Sequence, residues 1–397
     1  MRRRLVKNVR IYREGDFFWG SLWIADGRFE RICPDEEAAF MESAGGEEVL
    51  DGRGMMLIPG FIDLHTHGTV GIDVNAADKE GLKKIAAFFA TQGVTAWNAS
   101  IVTDSIERTD RCLAVIRDVS RERGYGAQLL GAHLEGPFLS EEYRGSMPKD
   151  LLREGDEDLL NHYREIAEGS IRYITLAPEV AGVMPMLKKI AGDIPVAIGH
   201  SGASYELSME AIESGARAIT HTFNGMILFH QHRPGLMGAA LESDCYCEAI
   251  CDGRHLHPGT VRMLIKCKGL NRVAAITDSI MAAGLPDGNY QLGVNDVVVV
   301  DGDARLVSSG VRAGSTLTMA QAFRNLLAFT ERSPGEIIPL LSSNPADLLG
   351  IADRKGRIQE GMDADFVLLD DTYQVQVTVV SGKIVYRKSC GPDGNPV

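Results

Sequence analysis

No stretch of this 397-residue chain reaches the roughly 18 consecutive apolar residues of a membrane-crossing helix, so a membrane role is not expected. The basic opening Met1-Arg2-Arg3-Arg4-Leu5-Val6 is not followed by an apolar core, because Lys7, Asn8 and Arg10 interrupt it. No signal peptide is expected either. Positive charge is in short supply: 54 Asp and Glu against 41 Lys and Arg leave a formal net charge of −13. That argues against non-specific nucleic-acid binding and leaves room only for a local cationic pocket. Cysteine is sparse, scattered and odd in number, at seven residues, which suits a reduced cytoplasmic setting better than a disulfide framework. Fixed-period repeats and low-complexity tracts are missing, which excludes a solenoid.

What is present is length and an ordinary globular composition. With 45% hydrophobic and 24% charged residues the core can be large. The length suits a (β/α)8 barrel of about 250 residues plus a smaller unit. Residues 1–58 alternate like β-structure, with Leu5-Val6, Val9–Ile11, Phe17–Trp19 and Leu22–Ile24 separated by turn signals such as Asp26-Gly27. The same texture returns in residues 349–397, at Phe366–Leu369, Val375–Val380 and Ile384–Tyr386. The two ends are predicted to pair into one small β-sandwich.

Between them, in residues 59–348 and their immediate approach, eight apolar runs read as strands: Met56–Leu64, Val94–Ala99, Leu129–Leu134, Tyr173–Leu176, Val196–Ile198, Ala218–Thr220, Glu248–Cys251 and Val273–Thr277. Helical patterns lie between most of them, including 79–92, 105–122, 184–191 and 205–214. Alternating β and α implies a parallel sheet with right-handed crossovers, and eight units imply a closed TIM-type (β/α)8 barrel. Residues 285–313 break the pattern with Gly/Asp turns and the run Val297–Val300, predicted to be an inserted β-hairpin near the barrel mouth.

Active sites on this architecture sit at the C-terminal ends of the strands. His65 and His67 lie two apart after the first run, and on a strand they face one side. Glu135 ends the third run, His200 the fifth, His221 the sixth and Asp278 the eighth. A lone histidine at a strand end is more often structural than ligating, and H-x-H alone is weak. Their joint occurrence favours a site for one or two metal ions. His133 shares the face of Glu135 and reads as a packed support. Cys245, Cys247 and Cys251 form a C-x-C-x3-C cluster that suggests a soft-metal site, but buried core cysteines on one strand face explain it better.

These segments resemble the amidohydrolase superfamily, and within it the N-acetylglucosamine-6-phosphate deacetylases. The likeness rests on Pro59-Gly60-Phe61-Ile62-Asp63-Leu64-His65-Thr66-His67-Gly68, His133-Leu134-Glu135-Gly136-Pro137, Gly199-His200-Ser201, His221-Thr222-Phe223-Asn224-Gly225-Met226, Cys251-Asp252-Gly253-Arg254-His255, Thr277-Asp278 and Ala313-Gly314-Ser315-Thr316. It covers nearly the whole chain. The resemblance implies that Glu135, His200 and His221 hold one divalent ion, and that His65 and His67 form a second position with Glu135 bridging. The donors suit zinc, iron or manganese. It implies metal-assisted hydrolysis of the N-acetyl amide of an amino-sugar phosphate, with Asp278 as ligand, general base and then general acid. Asn224, His255, Ala313 and Gly314 would contact the substrate, in a homodimer.

Four positions depart from the family's pattern. His232 stands where the family carries a phosphate-gripping arginine, with Arg233 displaced by one. Met147 replaces a histidine, Arg312 an apolar residue near the acyl group, and Gly225 an alanine. All four bear on substrate. They keep open a related amidohydrolase with another N-acyl or cyclic amide substrate, whereas a non-catalytic scaffold on the same barrel would be expected to have lost ligands.

Overall fold

The computed structural model describes residues 3–38 and 48–389. The first two residues of the basic opening, residues 39–47 and the last eight residues of the C-terminal unit lie outside the described residues. Strands β1 (Arg4–Arg13), β2 (Asp16–Ala25), β3 (Arg28–Pro34), β4 (Glu48–Asp51) and β5 (Met56–Pro59) open the chain. The barrel strands are β6 (Phe61–Asp63), β9 (Val94–Val102), β10 (Gln128–Glu135), β11 (Ile171–Leu176), β12 (Val196–Ile198), β13 (Ala216–Ile219), β14 (Tyr246–Ile250) and β15 (Val273–Ile276). A small ribbon, β7 (Gly68–Thr69) with β8 (Ile72–Asp73), follows β6. Strands β16 (Gly288–Leu292), β17 (Asn295–Val300) and β18 (Asp303–Leu306) form a separate sheet, and β19 (Phe366–Leu369), β20 (Val375–Val380) and β21 (Lys383–Arg387) close the chain.

The eight barrel strands pair in parallel in simple sequence order, β6-β9-β10-β11-β12-β13-β14-β15. Every residue of β9, β12 and β15 is buried, as expected of strands covered on both faces. The intervening helices turn one apolar stripe inward. Helix Lys79–Thr91 buries Leu82, Ile85, Ala86, Phe89 and Ala90, and the Asp78 carboxylate caps it by accepting from the Gly81 N–H. Among the described residues no helix is long and apolar enough to cross a membrane.

The apolar run predicted as one strand from Met56 to Leu64 is two strands in two sheets. β5 pairs with β1 and β19, whereas β6 pairs with β9. Gly60 sits at the transfer, where a Cβ would run into the Thr95 side chain. Both halves are apolar and buried, so hydrophobicity alone does not reveal the change of sheet. The two ends of the chain share one sheet, β21-β20-β19-β5-β1-β2-β3, with β4 on β1. It wraps around its own core: Phe29 of β3 meets Phe366 of β19 at 6.2 Å between ring centroids, and the Phe29 N–H donates to the Met362 carbonyl. Hydrogen bonding runs from strand to strand through it, and its curl brings strands from both ends of the chain over one shared core, as the small β unit expected of the two termini. The insert at 285–313 is a three-stranded antiparallel meander, β16-β17-β18, where the sequence suggested a hairpin. The third strand, Asp303–Leu306, is too short and mixed to signal itself.

The barrel closes between its first and last strands without a long ladder, since both are short. The Asp63 carboxylate, fully buried, accepts from Thr277 Oγ1 at 2.6 Å and from the Thr277 N–H at 3.3 Å. Above it the Asp278 N–H donates to the His65 carbonyl (2.9 Å) and the His67 N–H to the Ser279 carbonyl (2.7 Å). Burial pushes the Asp63 carboxyl up to about 6 from 3.8, against the hydrogen bonds from Thr277. Asp63→Ala leaves the Thr277 hydroxyl and N–H without their acceptor and is expected to cost about 1–3 kcal/mol in chemical denaturation. The raised value means the fold favours the protonated acid, so its contribution is complete below about pH 4 and is lost as pH rises through about 6. Relative to Asp63→Asn, which cannot titrate, the wild type should therefore gain stability as pH falls from 6 to 4; parallel pH profiles would contradict this.

Candidate metal centre and its cavity

Six side chains from five barrel strands meet at the mouth. Three of them, His200, His221 and Asp278, leave their strands with left-handed backbones, at φ of 48°, 27° and 48°. Non-glycine residues adopt that conformation at a cost of roughly 1–3 kcal/mol, and such strain collects at functional sites. All six are nearly inaccessible to solvent.

Their ligating atoms fall into two groups, His65, His67 and Asp278 in one and Glu135, His200 and His221 in the other. Within the first, His67 Nε2 lies 3.2 Å from both His65 Nε2 and Asp278 Oδ1. Within the second, Glu135 Oε1 lies 3.2 Å from His200 Nε2 and 3.1 Å from His221 Nε2. Glu135 also reaches the first group, with Oε2 at 3.2 Å from His67 Nε2 and Oε1 at 3.3 Å from His65 Nε2. One carboxylate therefore stands between two three-residue groups.

The far side of each ring explains why the Nε2 atoms converge. His65 Nδ1 lies 3.1 Å from Glu248 Oε2, His67 Nδ1 3.1 Å from the Ser100 carbonyl, His200 Nδ1 3.0 Å from the Tyr143 carbonyl, and His221 Nδ1 3.1 Å from the Asn224 carbonyl. Carbonyls and carboxylates only accept, so each Nδ1 carries the hydrogen and each Nε2 can offer a lone pair to the centre. Burial alone would hold the His67 imidazole neutral, but Asp278 and Glu135 outweigh it and push it up to about 9. Glu135 and then Glu248 likewise raise His65 well above its ordinary value, against burial. Burial works against the Glu135 charge, yet the surrounding histidines hold its carboxyl well below the usual range. Four imidazoles with oriented lone pairs and two ionised carboxylates form a donor set that fits divalent zinc, iron or manganese. His133 stands behind this set, bonded to Ser100 Oγ (2.8 Å) and Thr175 Oγ1 (2.9 Å), with its ring 4.5 Å from that of His65.

Above the centre lies a cavity of about 220 Å³. Met147, Asn224, Gly225, His255, Arg312 and Gly314 line it together with His67, Glu135, His200, His221 and Asp278. His255 Nδ1 is tied to Asp252 Oδ2 at 2.7 Å, which leaves its Nε2 free to face the cavity. The Arg312 guanidinium is fixed by two bonds to the Asp303 carboxylate, at 2.7 and 3.1 Å. Three residues selected from sequence are elsewhere. His232 and Arg233 occupy an exposed turn beyond Leu228 and Phe229, which are 83% and 58% exposed, and do not line this chain's own cavity. Ala313 is fully buried in an apolar cluster with Met147 and Ile280 and, unlike Met147, does not line the cavity. Cys245, Cys247 and Cys251 are buried core thiols outside both donor groups.

Sequence reading overlooked Glu248 and the carbonyls of Ser100, Tyr143 and Asn224. Glu248 carried a signal, as the one acid inside the apolar run Cys245–Cys251. The carbonyls carried none, since any residue type supplies one.

The amidohydrolase family profile matches residues 56–385. The chain is 35% identical to the N-acetylglucosamine-6-phosphate deacetylase of Lysinibacillus sphaericus, over 96% of this chain and 97% of that protein. It is 34% identical to the N-acetylgalactosamine-6-phosphate deacetylase of Escherichia coli O157:H7, over 83% and 87%. Its fold superposes on the Mycobacterium smegmatis N-acetyl-D-glucosamine-6-phosphate deacetylase in complex with N-acetyl-D-glucosamine-6-phosphate with a TM-score of 0.89, at 29% identity over 97% and 100% of the two chains.

Protons and divalent ions compete for the same lone pairs. Adding zinc to metal-free protein should release protons below about pH 9, and apparent affinity should rise with pH toward that value. Calorimetry in two buffers of different ionisation enthalpy would measure the release, and buffer-independent heats would contradict the competition. Chelation should also lower the unfolding temperature, because the ions bind the folded state.

Proposed function

The chain belongs to the amidohydrolase family, in its branch of N-acetylglucosamine-6-phosphate deacetylases, and from that premise we propose that it cleaves the N-acetyl amide of an amino-sugar phosphate. The substrate proposed is N-acetylglucosamine 6-phosphate, which with water yields glucosamine 6-phosphate and acetate. The observation that carries the reading is the convergence of His65, His67, Glu135, His200, His221 and Asp278 beneath a cavity of about 220 Å³. These residues would hold a divalent ion, whether zinc, iron or manganese, and the chemistry it would supply is Lewis acidity toward water and toward a carbonyl oxygen.

The chain's own groups do the rest. Glu135 spans both donor groups and sets their spacing. The Asp278 carboxyl is held below its ordinary value by His67 and His65, which outweigh burial, so it is ionised and able to accept a proton. It takes the proton of the attacking water and returns it to the leaving nitrogen as the C–N bond breaks. His255 and Arg312 are each held by a carboxylate, and Asn224, Gly225 and Gly314 complete the wall around the sugar. Burial of these groups limits competing water.

A second reading, hydrolysis of another N-acyl or cyclic amide, is favoured by one feature. Arg312 lines the cavity beside Met147, where a cation and a thioether could accept a different acyl group. The turn His230–Arg233 is exposed, as are Leu228 and Phe229 just before it. In a homodimer this segment would complete the partner's cavity with His232 and Arg233 as anion-binding groups. The six described cysteines are all free, which accords with a reducing cytoplasm.

Release of free amine from N-acetylglucosamine 6-phosphate should be fast with metal-loaded protein and much slower from the unphosphorylated sugar. Turnover of another amide, with none of this phosphate, would move the choice to the second reading. Asp278→Asn should keep the fold and lose about 10²–10⁴-fold in kcat; full activity would remove Asp278 from its role. Sizing by light scattering should give a dimer, and a fully active monomer would rule out a shared cavity.

A further inference from the structure

The four converging imidazoles are not anchored alike. His67, His200 and His221 donate from Nδ1 to neutral backbone carbonyls, whereas His65 donates to the carboxylate of Glu248. Glu248 lies on β14 with no solvent exposure. Its Oε2 accepts both from His65 Nδ1–H at 3.1 Å and from the His221 backbone N–H at 3.0 Å. Its Oε1 makes no hydrogen bond of good geometry among the described residues, although the Glu248 carboxylate lies close enough to the buried Tyr173 phenol to help burial raise it. A carboxylate behind a ligating imidazole fixes its tautomer and raises its basicity more than a carbonyl does.

We propose that Glu248 is a positioning residue that governs filling of the His65–His67–Asp278 metal position, separately from the Glu135–His200–His221 position. The inference rests on the reading of the two donor groups as two metal positions. Glu248 touches one group through a side chain and the other only through a backbone N–H, so its negative charge acts mainly on the first.

The test uses the full chain and two variants. Glu248→Gln keeps the shape and an accepting oxygen but removes the charge, whereas Glu248→Leu removes the acceptor. Equilibrium dialysis against zinc, with metal counted by mass spectrometry, should find two ions per wild-type chain. In both variants the first ion should bind as in the wild type, and the second should bind about 10–100-fold more weakly. Variants that hold both ions with wild-type affinity, or lose both in parallel, would overturn the inference. A wild type that holds one ion would instead refute the two-position reading. Ring-proton NMR of the zinc-loaded protein then decides the role of Glu248 independently: the His65 Nδ1–H resonance should persist in Glu248→Gln and vanish in Glu248→Leu. Its persistence in Glu248→Leu would overturn the anchoring itself. Should Glu248→Leu fail to fold, the near-isosteric Glu248→Gln still decides through its second-ion affinity.

Discussion

Between β6 and β15 the barrel is joined by a handful of hydrogen bonds. The Asp63 carboxylate takes the Thr277 hydroxyl and N–H, and just above it the His65 carbonyl takes the Asp278 N–H. That seam does two things at once. It converts an open run of eight parallel strands into a closed ring, and it sets His65 and His67 beside Asp278, more than 200 residues later in the chain. One of the two donor groups exists only because the ring is closed there. The other depends on strands β10, β12 and β13, which are ordinary neighbours or near neighbours in the ladder. The terminal sheet bears on the seam from outside, because β5 and β6 are consecutive and Pro59-Gly60 carries the chain from one sheet directly into the other.

The site concentrates ionisable groups in the interior. Two ionised carboxylates and a third, Glu248, sit among four imidazoles in a low-dielectric interior where unpaired charge is costly. The arrangement is tolerable because each ring is satisfied on one side by an acceptor and turned to the centre on the other. Strained left-handed backbones at His200, His221 and Asp278 are part of that solution. They let a residue at a strand end aim inward when the regular pleat would carry the chain past the axis. Arg312 and His255 are each pinned by a carboxylate that aims them.

Much of this was legible beforehand. Alternating apolar runs and amphipathic helices report a parallel barrel because burial on both faces of a strand leaves a continuous hydrophobic signature. The six polar residues at the ends of those runs stood out for the same reason. A run that stays apolar across a change of sheet, as from Met56 to Leu64, hides the change. The exposed turn at His232 and Arg233 does not line the cavity above the centre, and no periodicity reports that. Ala313 followed a motif into the neighbourhood of the cavity, yet its methyl group packs in an apolar cluster and does not line it.

The residue order by itself determined which side chains were available for chemistry and on which strand ends they would stand. Strand periodicity is local, and the pleat fixes the face on which each side chain points. Tertiary structure alone decided how those ends were brought within bonding distance: the closing seam at Asp63, the carbonyls of Ser100, Tyr143 and Asn224 that orient three rings, and the Glu248 carboxylate behind the fourth. Those are contacts between segments up to 214 residues apart. Their partners are largely backbone atoms, which every residue carries and no sequence pattern distinguishes.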